Sequence, residues 1–395
     1  MKRILILGAG FLQSFVIKKA KELGYYTIAV DNNLDSIGFK YADEYEVVDI
    51  IDKRACLEFA KKKKIDGVMT AATDYGVLAA SYVAQELNLP GINLDSAELI
   101  KNKYSVRKLF VDNNIDDILQ YYEVTPESDL INIEKNIKYP VMVKPSDGSG
   151  SKAAKRVDKK EEFYRACKEA IDASIIKKAL IEDFIEGKEY GVESFVFDGN
   201  IYTLGVLNKE VTLPPDYAEL GHMMPSGLKI EDKIRIIVKN AITLLGVNFG
   251  AVNMDILVTK EDKVSIIDVG ARMGGNLIGS HIIPNSTNYN YLENLIRATV
   301  DDTIDKPSNN IANNVVTKIL SLKPGEIKKV PDFSKIMEKY DIEIFFNKDV
   351  GDIINEYHNN LDGCGYLLGT GKDLIKIESN IKRAKKEIDE SIVRA

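Results

Sequence analysis

Hydrophobic and polar positions alternate in blocks along about the first 90 residues. Short apolar runs cover residues 3–7, 26–30 and 65–70, and longer stretches with apolar positions three and four residues apart cover residues 11–23, 53–63 and 75–87. The short runs predict buried strands, and the longer stretches predict amphipathic helices. Alternation of strand and helix indicates a parallel sheet with helices on both faces.

A second pattern, richer in antiparallel signals, begins near residue 121. Two predicted strands are joined through Asp198-Gly199-Asn200, a sequence typical of a tight hairpin turn. The predicted strands are 141–144, 180–185, 189–197 and 201–207, and the predicted helices are 159–173, 231–245 and a last one within 374–392. The predicted fold class is therefore α/β in the first part and α+β in the rest.

Two acidic residues stand out in the next hairpin. Residues 251–258 and 263–269 have strand patterns, with Glu261-Asp262 as a predicted two-residue turn. In that register Asp255 faces Asp268. Carboxylates with Cβ atoms about 5 Å apart repel each other, so the pair indicates a cation between them, and a hard divalent ion fits. The alternative is a one-residue bulge, which would place the two acids on opposite faces.

The residues after Asp268 indicate what this ion accompanies. Gly270, Gly274 and Gly275 let the backbone approach a ligand, and Arg272 brings a guanidinium group into the same space. Magnesium usually binds one or two carboxylates together with substrate phosphates. The segment therefore predicts phosphate chemistry, with Mg²⁺ or Mn²⁺ arriving together with a nucleotide.

Composition narrows the class of protein. The 395-residue chain is 45% hydrophobic and 29% charged, which is typical of a soluble globular protein with more than one domain. Its net charge of −7 argues against nucleic-acid binding, which needs a basic face. Three widely spaced cysteines indicate neither a disulfide framework nor a zinc site, and no apolar run is long enough for a membrane span. A cytoplasmic location is expected.

Three further motifs carry candidate binding residues, each with a structural alternative. Gly8 and Gly10 follow the first strand and either bind a small anionic substrate group at a helix N-terminus or form a turn; Gln13 replaces the third glycine of a dinucleotide site. Lys144 precedes a loop rich in glycine and serine, which either covers phosphates or is a surface hairpin. The strand ending at residues 182–185 either borders an adenine ring or is a charged edge strand.

In this order the motifs resemble the ATP-grasp superfamily, and within it the carboxylate–amine ligases related to the carbamoyl-phosphate synthase large chain, biotin carboxylase and phosphoribosylglycinamide synthetase. The resemblance extends along nearly the whole chain. It implies an ATP-grasp fold in three parts. These are a Rossmann-like pre-ATP-grasp domain at residues 1–95, an ATP-grasp domain at 96–310 with a mobile subdomain at about 121–207, and a small β-rich module at 311–395 that ends in a helix.

The resemblance also implies roles for individual residues. Arg272, which steadies the reacting carboxyl phosphate, and Lys144 are the expected catalytic residues, and Asp255 and Asp268 correspond to the two magnesium acids. Lys103 is the first nucleotide lysine and Glu189 the ribose acid. The implied nucleotide-binding residues are Lys103, Lys144, Ser146, Gly148, Ser149, Gly150, Ser151, Glu182, Asp183, Ile185 and Glu189, and the expected substrate-binding residues are Gly8, Gly10, Arg272, Gly274 and Gly275.

Two departures from the family pattern affect the metal site. Aspartate stands at the second magnesium position, where glutamate is common, and Gly270 stands where many members have a metal-binding asparagine. The second magnesium site is therefore either weak or completed by Asn253 or Asn276. His222 lies in a stretch, residues 219–226, that is expected to form a loop near the acceptor pocket, with its role open between structural and catalytic.

The predicted function is ATP-dependent ligation: a carboxylate and ATP form an acyl phosphate, which an amine converts to an amide. The sequence from Gly270 to Gly275 resembles amino-acid ligases in particular. Two alternatives remain, a bicarbonate-using carboxylase of the biotin carboxylase type and a non-catalytic ATP-binding regulatory protein. The expected cofactors are ATP and Mg²⁺ or Mn²⁺, and the expected partners are small carboxylates and amines rather than nucleic acid or membrane. The resemblance allows a homodimer.

Overall fold

The structure is a computed structural model that describes residues 1–148, 150, 152–213 and 217–395. Its N-terminal part is a parallel four-stranded sheet with helical crossovers, as the alternating pattern predicts. The elements are β1 (Arg3–Leu7), α1 (Phe11–Glu22), β2 (Tyr26–Asp31), β3 (Glu44–Val47), α2 (Lys53–Lys63), β4 (Gly67–Thr70) and α3 (Val77–Glu86), and the strand order is β3-β2-β1-β4.

Two short helices link this sheet to the rest of the chain, α4 (Leu94–Ile100) and α5 (Lys103–Asp112). Each begins at an asparagine cap: Asn93 accepts from the N–H of Ser96 at 2.8 Å, and Asn102 accepts from the N–H of Tyr104 at 3.0 Å. The second cap starts a new helix, so Lys103 is the first residue of α5.

A small antiparallel sheet follows, with one helix packed on one of its faces. Phe163, Cys167 and Ala170 of that helix are buried together with Val141 and Val143 of the sheet. The elements are β5 (Tyr121–Val124), α6 (Leu130–Glu134), β6 (Val141–Pro145), β7 (Lys155–Val157), α7 (Lys160–Ala173) and β8 (Ala179–Asp183), with strand order β5-β8-β6-β7.

The remaining elements form a large antiparallel sheet and a terminal layer. They are β9 (Lys188–Phe197), β10 (Asn200–Val211), β11 (Glu219–Met224), α8 (Glu231–Leu244), β12 (Gly250–Val258), β13 (Val264–Gly270), α9 (Ile283–Thr287), α10 (Tyr291–Thr299), β14 (Asn314–Ile319), β15 (Gly325–Lys329), α11 (Phe333–Tyr340), β16 (Glu343–Phe346), β17 (Ile353–Ile354), β18 (Gly365–Gly371), α12 (Leu374–Ser391) and β19 (Val393–Arg394).

The large sheet crosses the predicted domain limits. Its eight described strands have the order β13-β12-β9-β10-β11-β14-β18-β16, so strands from the predicted subdomain and from the predicted C-terminal module both contribute. Ile4 and Val16 of the N-terminal part share a hydrophobic core with Phe195, Leu204 and Tyr291. The domain limits stay predictions.

The described part of the chain contains no helix with the length and apolar character needed to cross a bilayer.

Candidate active site

A cleft of about 1100 Å³ lies between the three main sheets. Asp74 comes from the loop after β4, Asp255 and Asp268 come from β12 and β13, and Arg272 comes from the segment after β13. Residues 358–361 border the cleft from the C-terminal part. The cleft therefore collects charged groups from distant parts of the sequence.

Asp255 and Asp268 are directly opposed on β12 and β13, which confirms the predicted pairing. The predicted two-residue turn is wrong. The turn holds residues 260–262, in which Asp262 takes a left-handed φ of 57°, and the extra residue shifts the register by one. A bulge at Ile267 shifts the register back before the acids are reached. With a two-residue turn, such a bulge would have placed the two acids on opposite faces. With the three-residue turn of the structure, the bulge places them opposite each other.

Side chains from other elements cover the free edge of β13 beside this bulge. Because β13 is the last strand of its sheet, its outward backbone groups have no strand partner. Lys144 Nζ donates to the carbonyl of Ile267 and Arg107 donates to the carbonyl of Ile266, each at 2.8 Å. Asp116 accepts from the N–H of Ile266 at 3.1 Å. These side chains cap the edge and connect the large sheet to the small one.

A buried cluster of charges holds Lys144. Its Nζ lies 2.7 Å from Oε1 of Glu182, and Nε of Arg107 donates to Oε2 of the same carboxylate at 2.6 Å. Burial alone would raise the pKa of Glu182, but Arg107 and Lys144 lower it to about 2. The side chain of Glu182, expected at the adenine hinge, therefore positions Lys144. Arg107 is absent from the sequence predictions.

Each acid of the opposed pair has a lysine partner. Lys103 Nζ forms an ion pair with Asp268, and Lys209 Nζ lies 2.9 Å from Oδ2 of Asp255. Burial would lower the pKa of Lys103, but Asp268 raises it above its usual value. The repulsion that the sequence predicts within the acid pair is thus relieved in part by the protein itself.

The acid pair still fits a magnesium ion. Its carboxylate oxygens are the hard ligands that Mg²⁺ prefers, and both acids line the cleft. The described residues contain no group of three or more His, Cys, Asp and Glu side chains arranged to hold a metal. An ion at Asp255 and Asp268 would therefore take its further ligands from water and from nucleotide phosphates.

The predicted adenine hinge follows β8. The carboxylate of Asp183 accepts from the N–H of Gln120 at 3.1 Å, and the N–H of Asp183 donates to the carbonyl of Gln120 at 3.2 Å. Glu189, the predicted ribose acid, lies 3.3 Å from Lys209 Nζ, and burial raises its pKa. Nucleotide binding by Asp183, Ile185 and Glu189 stays a prediction.

The predicted phosphate loop is anchored at its first residue. The N–H of Ser146 donates to the carbonyl of Lys178 at 3.0 Å, and its carbonyl accepts from the N–H of Lys103 at 2.8 Å. The buried hydroxyl of Ser146 has no hydrogen-bond partner within the described residues, a cost that a ligand oxygen could remove. Gly150 has a φ of +64° and lines the cleft. Ser149 and Ser151 lie outside the described residues, and the role of Gly148 stays a prediction.

Arg272 forms a bidentate pair with an acid that the sequence reasoning missed. Its Nε donates to Oδ1 of Asp74 and its Nη2 donates to Oδ2 of Asp74, each at 3.0 Å. Burial would raise the pKa of Asp74, but Arg272 lowers it. Asp74 follows β4 at the carboxyl edge of a parallel sheet, where ligand-binding residues of α/β folds commonly lie. The position of Asp74 directly after a predicted parallel strand could have identified it as a candidate site residue.

The four glycines expected to bind substrate have different surroundings. Gly275 lines the cleft, whereas the N–H of Gly274 donates to the buried carboxylate of Glu193 at 3.2 Å. The N–H of Gly8 donates to the carbonyl of Val30 at 2.8 Å, and Gly10 caps α1. Substrate binding by these glycines stays a prediction.

Residues 219–224 form β11, not the predicted loop. His222 pairs with Lys209 on β10 and with Thr317 on β14, and it is buried where the sheet borders the cleft. Its Nδ1 has no hydrogen-bond partner within the described residues, and burial lowers its pKa. Sequence reasoning missed the strand because it is short, contains the buried polar residue His222 and the partly buried Glu219, and is followed at once by Pro225.

Comparison with known proteins identifies part of the chain. Residues 137–280 match the profile of the ATP-grasp domain. A formate-dependent phosphoribosylglycinamide formyltransferase from Prochlorococcus marinus strain MIT 9515 is 26% identical over 190 residues, which is 47% of this chain and 48% of that protein. The one from Ignicoccus hospitalis is 24% identical over 291 residues, 69% of each chain. The chain thus matches about half of the first relative.

Solved structures match over the whole length. Phosphoribosylglycinamide synthetase from Anaerococcus prevotii has a TM-score of 0.77 at 26% identity, with 100% of this chain and 99% of that chain covered. L-amino acid ligase from Bacillus licheniformis has a TM-score of 0.85 at 20% identity, with the same coverage. The protein therefore contains an ATP-grasp domain and has the ATP-grasp fold that its sequence predicts.

Proposed function

We propose that this protein is an ATP-dependent ligase that activates a carboxylate as an acyl phosphate and transfers the acyl group to an amine. The observation that carries the proposal is the direct opposition of Asp255 and Asp268 in a cleft that also contains Arg272. Lys103 contacts this pair, and Lys144 contacts the bulge beside it.

The first step is phosphoryl transfer. An oxygen of the substrate carboxylate attacks the γ-phosphorus of ATP, the bond to the β-phosphate oxygen breaks, and ADP leaves. Negative charge spreads over the phosphoryl oxygens in the transition state, so nearby fixed cations accelerate the step. Lys103, Lys144 and Arg272 are the candidates, and a bound Mg²⁺ would neutralise further charge on the phosphates.

The second step forms the product. The amine nitrogen attacks the acyl carbon, phosphate leaves with the electrons of the carbon–oxygen bond, and the nitrogen loses a proton. Both steps gain most from holding the reactants in the right geometry and from excluding water. A partly buried pair such as Arg272 with Asp74 suits this task, because a guanidinium with fixed orientation needs little rearrangement.

Similarity to named enzymes supports the reaction class. The relatives include a formate-dependent formyltransferase, a phosphoribosylglycinamide synthetase and an L-amino acid ligase. A biotin carboxylase from Campylobacter jejuni also shares the fold, with a TM-score of 0.77 at 16% identity. Ligases and carboxylases share this fold, so the two reactions are distinguished by the substrates on which ADP release depends.

The test is ADP release in the presence of Mg²⁺-ATP and defined substrates. Amino acids, formate and bicarbonate serve as acids, and amino acids and aminated sugar phosphates serve as amines, each tested alone and in pairs. The proposal requires ADP release that depends on one acid and rises when one amine is added. Release that depends on bicarbonate and biotin would indicate the carboxylase, and nucleotide binding without release under any pair would indicate the regulatory protein.

A further inference from the structure

Lys209 on β10 is the most heavily surrounded cation beside the cleft. Its Nζ lies 2.8 Å from Oε1 of Glu219, 2.9 Å from Oδ2 of Asp255 and 3.3 Å from Oε2 of Glu189. Its side chain is only 6% exposed. One buried ammonium group thus contacts three carboxylates, among them one of the two predicted metal ligands.

Each predicted metal acid keeps one carboxylate oxygen outside these contacts. Lys209 binds Oδ2 of Asp255, and Lys103 and the N–H of Val269 bind Oδ1 of Asp268. Within the described part of the chain, the hydrogen bonds leave Oδ1 of Asp255 and Oδ2 of Asp268 for another ligand. Two opposed carboxylates with one such oxygen each form a site for one ion.

Of the two residues considered for a second ion, Asn276 is engaged at both ends of its side chain. It donates to Glu219 through its nitrogen and accepts from the hydroxyl of Tyr366 at 2.8 Å through its oxygen. Asn253 donates through its nitrogen to Oε2 of Glu193 at 3.0 Å, which fixes the orientation of its amide. A second ion that used Oδ2 of Asp255 would have to displace the ammonium group of Lys209, and one that used Asn276 would have to break that residue's contacts.

The charge of the protein groups favours a single ion at the acid pair. Four carboxylates (Glu189, Glu219, Asp255 and Asp268) face two ammonium groups (Lys103 and Lys209), which leaves two negative charges before a nucleotide binds. One divalent cation balances that excess. The buried ammonium group of Lys209 repels a second cation beside Asp255, so that only the nucleotide phosphates would attract it.

We propose that Lys209 is a built-in counter-ion that takes the place of a second divalent cation, so that the site binds one metal ion, between Asp255 and Asp268, with each nucleotide. The count per nucleotide rests on the proposed ATP-dependent function, whereas the counter-ion role of Lys209 does not. Lys209 is thus a positioning residue, because it fixes Asp255 without contacting the reacting atoms.

The experiment counts bound Mn²⁺ per bound nucleotide by equilibrium dialysis with a labelled, non-hydrolysable ATP analogue. Wild type is expected to bind one ion per nucleotide, and Lys209→Met two, because the substitution removes the competing charge and opens its space. Lys209→Arg keeps the charge and should bind one. The matched control is Lys318→Met, which removes a lysine of β14 paired with Glu210 of β10 and should also bind one ion.

A second measurement needs no nucleotide. The melting temperature is followed with Mn²⁺ alone, and the increase should be larger for Lys209→Met than for wild type, because the ion then replaces a missing counter-ion. If wild type binds no nucleotide but this difference is present, the proposed function fails and the counter-ion role of Lys209 stands.

Two ions per nucleotide in wild type, or one in Lys209→Met with an unchanged Mn²⁺ effect on melting, would overturn the inference. If Lys209→Met does not fold, the wild-type count still decides between one ion and two.

Discussion

Arg272 and Asp74 form a bidentate ion pair that joins the segment after β13 to the loop after β4. Both nitrogen–oxygen distances are 3.0 Å, and both side chains border the cleft. The pair connects the N-terminal sheet to the large sheet at the proposed reaction site. It also holds the guanidinium plane in the orientation that suits a carboxylate or phosphate group.

The first prediction concerns the contribution of this pair to stability. Asp74→Asn should lower the free energy of unfolding by about 1.5–3 kcal/mol, because it leaves a largely buried guanidinium without its charged partner. Urea unfolding measures the change. Asp112→Asn is the control, since it breaks an exposed pair with Lys108 whose attraction is screened by water. Equal effects of the two substitutions would contradict a special role for the Arg272–Asp74 pair.

The second prediction concerns nucleotide binding through Lys144. Mg²⁺-ADP should raise the melting temperature of wild type, since a ligand at a hundredfold excess over its dissociation constant stabilises the native state by about 2.7 kcal/mol. Lys144→Ala should lose most of this shift. Lys178→Ala removes a lysine that directly precedes β8 and pairs with Glu123, and it should keep the shift. A full shift in Lys144→Ala would remove this lysine from the nucleotide site.

The third prediction separates the two metal acids by stability. Asp255→Asn and Asp268→Asn should both abolish turnover, because each weakens the metal site. Without metal, Asp268→Asn should melt at a lower temperature than Asp255→Asn. In Asp268→Asn, Lys103 loses its ion-pair partner, whereas in Asp255→Asn, Lys209 keeps Glu219 and Glu189. Normal turnover in either variant would show that the acid is structural.

The fourth prediction is a pH effect from Glu193. Burial raises its pKa from 4.5 to about 7, although the side chain accepts hydrogen bonds from Tyr291 and Asn253. Between these values the unfolded chain binds fewer protons than the folded protein, so stability falls as pH rises from about 4.5 to about 7. The loss attributable to this group is up to about 3 kcal/mol.

Glu193→Gln stays neutral at every pH and should remove this part of the slope. The free energy of unfolding is compared between wild type and variant from pH 4.5 to pH 8. Parallel curves would mean that folding does not raise the pKa of Glu193.

The sequence predicted the elements whose burial has a simple period. The strand at residues 3–7 and the helix at residues 53–63 match β1 and α2 to the residue. β3 was missed because it is an exposed edge strand, with Tyr45 and Val47 about half exposed, and its pattern resembles a loop.

The candidate site was only partly predictable, because its residues depend on each other across long sequence distances. The opposition of Asp255 and Asp268 was inferred correctly even though the assumed turn was one residue short, since the bulge at Ile267 compensated. Asp74 and Lys209 were missed because their roles depend on charged partners that lie far away in the sequence. A lone acid or lysine has no signal in the sequence until the sheet places it beside the opposite charge.

The most direct test of the proposed reaction is capture of the acyl phosphate. Once an acid that supports ADP release is known, hydroxylamine replaces the amine, and the hydroxamate is quantified against ADP. We expect one hydroxamate per ADP, and Arg272→Ala should lower the yield by on the order of 10²-fold, because a cation no longer stabilises the transferring phosphoryl group. ADP release with no hydroxamate at any hydroxylamine concentration would contradict the acyl-phosphate route.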